Sequence, residues 1–125
     1  KRKRTIMDFR KHQPIYMQIA EVLLEDILKK RVVDGDRIPS VREMATTVQV
    51  NPNTVQRTYQ WLQDEEIIFQ KRGIGFFLCE QSFEKTLQIK KNEFVREVLP
   101  ETIRQMKMLG ITEAEWKALY TSISN

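Results

Sequence analysis

Two helix-start signals stand eleven residues apart in the middle of this chain, and that spacing leaves few folds open. The first, Ser40-Val41-Arg42-Glu43 after Pro39, is a capping box. The Ser40 hydroxyl can accept from the backbone N–H of Glu43, while the Glu43 carboxylate reaches back to that of Ser40. The second is Asn51-Pro52, a good N-cap followed by a proline at the first helical position, where a missing N–H is harmless. The first helix must therefore be short, with Val41, Met44, Ala45 and Val48 on its inner face. The second runs to about Asp64 with Val55, Tyr59 and Leu62 inward. Two short, closely joined helices with separate caps predict a helix-turn-helix.

The flanking segments extend that unit. Pro14 opens a run in which Ile15, Ile19, Val22, Leu23 and Ile27 recur at three- and four-residue spacing, an amphipathic helix of about four turns. It ends near Lys29-Lys30-Arg31, where cations suit the negative end of the helix dipole. Asp34-Gly35-Asp36 then reads as a turn. After the second capped helix the period changes. Ile67-Ile68-Phe69, a basic glycine turn at Gln70-Lys71-Arg72-Gly73, and Phe76-Phe77-Leu78 together read as a β-hairpin. A helix-turn-helix followed by such a hairpin is a winged helix-turn-helix. Its span, Gln13 to Cys79, is marginal for independent stability.

The expected architecture is mostly α. A basic arm covers residues 1–12, the winged helix-turn-helix domain 13–79, and a two-helix dimerisation tail 80–125. In the tail Phe83, Leu87, Phe94, Val98, Ile103 and Met106 form one stripe, which Pro100 must kink or divide. Gly110 is a helix stop, and Thr112 to Glu115 is a second capping box. It opens a last helix with Trp116, Leu119, Tyr120 and Ile123 on one face. Two helices of that length cannot enclose their own apolar stripes, so a partner surface is required: the winged domain or a second copy.

Composition removes several function classes. No apolar run approaches the eighteen or so residues of a membrane span, and no apolar segment follows Lys1-Arg2-Lys3-Arg4 as a secretory signal requires, so a cytoplasmic protein is expected. One cysteine, Cys79, and one histidine, His12, leave no Cys/His zinc site and no cysteine–histidine chemistry. No cofactor and no enzymatic activity are expected; Asp34 and Asp36 are the nearest thing to paired titratable groups. The net charge of +4 is uneven. Residues 1–11 carry six basic residues and one acid, residues 12–79 are net −1, and residues 80–125 are neutral. A basic arm on a near-neutral body suits an anionic partner, and equally a solvated tail.

In a winged helix-turn-helix the second helix enters the major groove by its N-terminal end. With Val55, Tyr59 and Leu62 buried, Asn53, Thr54, Gln56 and Arg57 fall on or near the opposite side. Asn and Gln can pair bidentately with adenine; Arg can do so with guanine or hold a phosphate. Asn51 is chiefly a cap. Arg42 sits on the helix that crosses the sugar-phosphate backbone, against the plainer reading of a solvated arginine. At the hairpin tip Lys71-Arg72-Gly73 can approach a phosphate or a narrow minor groove, although basic tips are also common on solvated surfaces.

Four ordered motifs resemble the DNA-binding domain of the GntR family of bacterial transcription regulators. They are Pro14-Ile15-Tyr16-Met17-Gln18-Ile19-Ala20, Gly35 through Ala45, Val50-Asn51-Pro52-Asn53-Thr54-Val55, and Arg72-Gly73-Ile74-Gly75-Phe76-Phe77. The resemblance implies that Arg42, Asn51, Pro52, Asn53, Thr54, Gln56 and Arg57 face DNA and that Arg72 and Gly73 reach the minor groove. It departs at Glu66, where the family usually has glycine; a positive φ there would cost about 1–2 kcal/mol. Only 46 residues follow Cys79, too few for the family's large sensing domains. The tail, with its Leu109-Gly110-Ile111-Thr112 junction, is similar to the short dimerisation module of the YtrA-like subfamily.

The resemblance implies a sequence-specific regulator, a repressor, that binds double-stranded DNA at an inverted-repeat operator as a homodimer. The alternative is a winged-helix docking module that reads no DNA sequence. A small-molecule effector of unidentified class is a further candidate partner: Trp116, Tyr120 and Met106 can line a cleft, or the same side chains can simply be core.

Overall fold

The computed structural model describes residues 13–124; the basic arm lies outside them. The chain runs α1 (Ile15–Leu28), β1 (Arg37–Ile38), α2 (Val41–Val48), α3 (Pro52–Asp64), β2 (Ile68–Lys71), β3 (Gly75–Leu78), α4 (Ser82–Glu93), a π-helical turn (Phe94–Val98), α5 (Leu99–Met108) and α6 (Glu113–Ser122). It is mostly helical, and α2, α3 and the β2–β3 hairpin make a winged helix-turn-helix. Two compact units divide it, one closing at Leu87 and the other opening at Gln88.

In the first unit α3 packs against both α1 and α2. Leu24 and Ile27 of α1, Val55 and Leu62 of α3, and Ile68 and Leu78 of the hairpin are each exposed by 2% or less. Tyr59 lies among them at 1%. Its hydroxyl donates to the Pro39 carbonyl at 2.6 Å, and its ring meets Phe76 edge-on at 4.9 Å. One side chain of α3 thus touches both the loop before α2 and strand β3 of the wing. Burial raises the Tyr59 phenol above the ordinary tyrosine range, and the Glu43 charge adds to that.

Both capping signals form as read. Ser40 Oγ accepts from Glu43 N at 3.0 Å and Glu43 Oε1 accepts from Ser40 N at 2.9 Å; Asn51 Oδ1 accepts from Asn53 N at 2.7 Å. The Ser40 backbone N–H, and after it the Ser40 side chain, hold the Glu43 carboxyl below its usual range. Several expectations need correction. Pro14 precedes α1 as its N-cap, with ψ 151°. Ile15 and Val22 are 53% and 44% exposed, while Ala20 and Leu24 are buried instead, because the true burial stripe of α1 is rotated toward α3. A third strand also exists: β1 pairs with β3 in a sheet ordered β1-β3-β2, all antiparallel, with Arg37 opposite Phe77 and Phe69 opposite Phe77.

Asp34 is a structural carboxylate. It accepts from the backbone N–H groups of Gln81 and Ser82, at 2.8 and 3.1 Å, and from the Ser82 hydroxyl. That ties the turn after α1 to the start of α4, where Ser82 and Thr86 are buried. Asp36 accepts from Val33 N at 2.9 Å. Both side chains therefore serve the backbone around them.

In the second unit Pro100 does not break the helix. The turn before it widens, with Leu99 N bonding the Phe94 carbonyl, and α5 continues. A proline ring collides with the carbonyl four residues back, and a wider turn relieves that collision. Gly110, at φ +75°, ends α5 with Ile111 N bonded to Met106 O and Gly110 N to Lys107 O. The Thr112–Glu115 capping box then starts α6. No side chain of the π-helical turn, α5 or α6 is buried: Val98, Ile103, Trp116 and Leu119 are 39–56% exposed.

Candidate nucleic-acid interface

The exposed face of α3 follows from its buried one. A helix advances 100° per residue, so with Val55, Thr58, Tyr59 and Leu62 inward, Asn53, Gln56, Arg57 and Gln60 share the opposite arc. All four are exposed, as are Asn51 and Pro52, and Thr54 is half-buried at the margin. Gln60, which no sequence motif marks, continues the arc by one turn and donates to Asp64 at 3.0 Å. Asn51 spends its side-chain oxygen on the cap. Arg42, on the second position of α2, is exposed.

The wing tip is a tight turn in which Ile74 N donates to Lys71 O at 2.9 Å and Gly73 adopts φ +78°. That conformation suits glycine at the third position. Arg72 and Gly73 project at the tip, both exposed. Lys71 folds back over the Phe77 ring at 5.0 Å, and Phe69 stacks on the same ring at 5.9 Å. On the other side of Phe77 the register places Arg37, missed in the sequence. Its guanidinium reaches the Ile74 carbonyl at 3.4 Å and lies against Gly75. β1 has only two residues, too few to show an alternating pattern, so nothing in the sequence separated Arg37 from a loop arginine.

Arg57 does not hang free either. Its guanidinium lies 4.1 Å from the centre of the Tyr16 ring, across from α1. Arg37, Arg42, Arg57, Lys71 and Arg72 are all exposed, and Glu43 is occupied by its cap. No group of His, Cys, Asp and Glu among the described residues can hold a metal ion, and none of the described helices is long and apolar enough to cross a membrane.

Of the residues expected at the dimer interface, Phe83 lies in the first unit with Lys30 Nζ 4.8 Å over its ring, and Leu87 ends that unit, 47% exposed. Phe94, Val98, Ile103, Met106, Trp116 and Tyr120 belong to the second, all but Met106 substantially exposed.

Residues 15–78 match the family model described as bacterial regulatory proteins, gntR family. The chain belongs to the GntR family. It is 41% identical over 107 residues to the HTH-type transcriptional regulator YhcF of Bacillus subtilis, covering 86% of this chain and 87% of that one. To the HTH-type transcriptional repressor YtrA of the same organism it is 38% identical over 105 residues, 84% of this chain and 80% of the other. Both matches are too long to stop at the winged domain, so the GntR likeness reaches into the tail. A solved GntR-family regulator of Bacteroides thetaiotaomicron superposes with TM-score 0.75 at 40% identity, covering 86% of this chain and 94% of its own. As a GntR protein of the YtrA-like kind the chain is a DNA-binding transcriptional regulator, not an enzyme.

Proposed function

We propose that the chain represses transcription as a homodimer bound to an inverted-repeat operator, its winged domain (13–79) reading DNA and its tail (80–125) joining the two copies. The observation that carries this reading is the exposed arc Asn53, Gln56, Arg57 at the capped start of α3, with Arg42 on one side and Lys71, Arg72 and Gly73 at the wing tip. Asn53, Thr54 and Gln56 meet base edges in the major groove; Arg42 and Lys71 hold phosphates; Arg72 enters the minor groove beside Gly73. Asn51 and Pro52 set the depth at which the helix end meets the backbone. The half-exposed apolar stripes of α5 and α6 support the dimer, since a lone chain leaves them in water and a two-fold interface removes them from it. Repression is favoured by the likeness to YtrA.

Selection of bound fragments from a random DNA pool by the purified chain, at about 100 mM salt, tests this. Enrichment of an inverted repeat is expected. With roughly 6–10 phosphates neutralised, affinity should fall about 10³–10⁵-fold between 50 and 200 mM salt. Retention without an enriched motif, or no retention, overturns the reading and leaves a docking module.

A further inference from the structure

Arg57 is the one cation on the exposed arc of α3 that a second helix holds in place. No carboxylate pairs with it among the described residues. What it meets is the face of Tyr16, 4.1 Å from guanidinium carbon to ring centre. The backbone that carries the ring is anchored independently. Thr58, next to Arg57 in the chain and 1% exposed, donates its hydroxyl to the Tyr16 carbonyl at 2.7 Å. Tyr16 is therefore bound to α3 twice, by its backbone to the buried side and by its ring to the exposed side. The ring and the guanidinium, together with Asn53 and Thr54, line one shallow groove between the starts of α1 and α3.

We propose that Tyr16 is a positioning residue for DNA recognition: its ring holds the Arg57 guanidinium in the pose in which α3 presents it to the DNA. The proposal rests on the reading of α3 as the DNA-facing helix. A free arginine samples many rotamers and loses that freedom on binding, whereas one already laid on an aromatic face loses less. The guanidinium is planar and keeps its N–H edge available while stacked, so the ring takes its face and leaves its donors for phosphate or base.

A double-mutant cycle with the full chain tests this, using as probe the DNA fragment most enriched from a random pool. Tyr16→Leu removes the π face and Tyr16→Phe keeps it; Arg57→Met removes the cation and keeps the stem. Thermal unfolding of each variant separates loss of fold from loss of binding. An exposed cation–π contact corresponds to about a two- to five-fold change in an equilibrium. Tyr16→Leu should weaken binding by about that factor for each bound copy, Tyr16→Phe should bind like the parent, and Tyr16→Leu should have no further effect once Arg57→Met is present. Equal weakening by Tyr16→Leu in both backgrounds, unchanged binding, or tighter binding would each overturn the positioning role. If Arg57→Met alone leaves affinity unchanged, Arg57 does not touch the DNA, and that part of the proposed interface fails along with the inference.

Discussion

Leu62 and Ile67 close the end of α3: the Ile67 amide donates to the Leu62 carbonyl at 2.9 Å, and both side chains are at most 1% exposed. Between them Glu66 stands at φ +61°, with its own N–H on the Gln63 carbonyl. This is the pattern of bonds with which glycine commonly ends a helix, here built with glutamate. The buried pair on either side holds Glu66 in the left-handed region and sends the chain straight into β2.

Glu66→Gly should therefore stabilise the protein. A left-handed L-residue costs about 1–2 kcal/mol, and the added freedom of glycine in the unfolded chain returns part of that. A net gain of about 0.5–1 kcal/mol is expected, read as a higher urea midpoint with an unchanged slope. Lys85, which donates to the Glu66 carbonyl at 3.0 Å, keeps its acceptor in the variant.

Gly75→Ala should act in the opposite direction. At φ +149° its Cβ would lie 2.8 Å from Arg37 Nε. Strain of this kind costs on the order of 1–3 kcal/mol. Adding Arg37→Ala should recover the steric part and leave the backbone part. Thermal unfolding of the two variants separates them; an equal loss in both would mean that the Arg37 side chain moves aside without cost and the strain is all in the backbone.

Asp34 predicts an acid limb of stability. Hydrogen bonds from the Ser82 hydroxyl and from the Gln81 and Ser82 N–H groups hold its carboxyl below the ordinary value of 3.8. A carboxyl lowered on folding contributes fully above its unfolded pKa, and that contribution disappears as pH falls through the lowered folded value. Urea midpoints of the parent and of Asp34→Asn should differ by a constant amount from about pH 5 to 8 and converge below about pH 4. A gap that persists unchanged at pH 2 would mean that ionisation of Asp34 contributes nothing to stability.

The two kinds of DNA contact should separate in salt titrations. Lys71→Ala should weaken binding to all sequences alike and reduce the salt slope by about 1. Asn53→Ala or Gln56→Ala should leave the slope unchanged and relax discrimination at one base pair, by about 1–3 kcal/mol. Equal weakening of all sequences by Asn53→Ala and Gln56→Ala would mean that these side chains touch only the backbone.

Oligomerisation should fail with one charge in the tail. Val98→Asp or Ile103→Asp places a carboxylate on a stripe that is 39–44% exposed in the single chain. Sedimentation should then give 14.9 kDa where the parent gives twice that. A parent that already sediments as a monomer would remove the dimer from the proposed function.

Helix starts and stops were legible in the chain because they are local chemistry. Ser40 and Glu43, Asn51 and Pro52, Gly110, and Thr112 with Glu115 each place donor and acceptor within a few residues, and each forms as read. The polar arc of α3 was legible for a similar reason: once Val55, Tyr59 and Leu62 face inward, helix geometry sends Asn53 and Gln56 outward. Tertiary structure alone decided the rest. Arg37 gains its place from a two-residue strand and a glycine 38 positions away. Tyr16 meets Arg57 because α1 packs on α3, and the turn at Asp34 caps a helix 48 residues downstream. Contacts of that range leave no periodicity in the sequence; they depend on which faces of separate elements come together, and burial of the apolar side chains of the whole unit sets that.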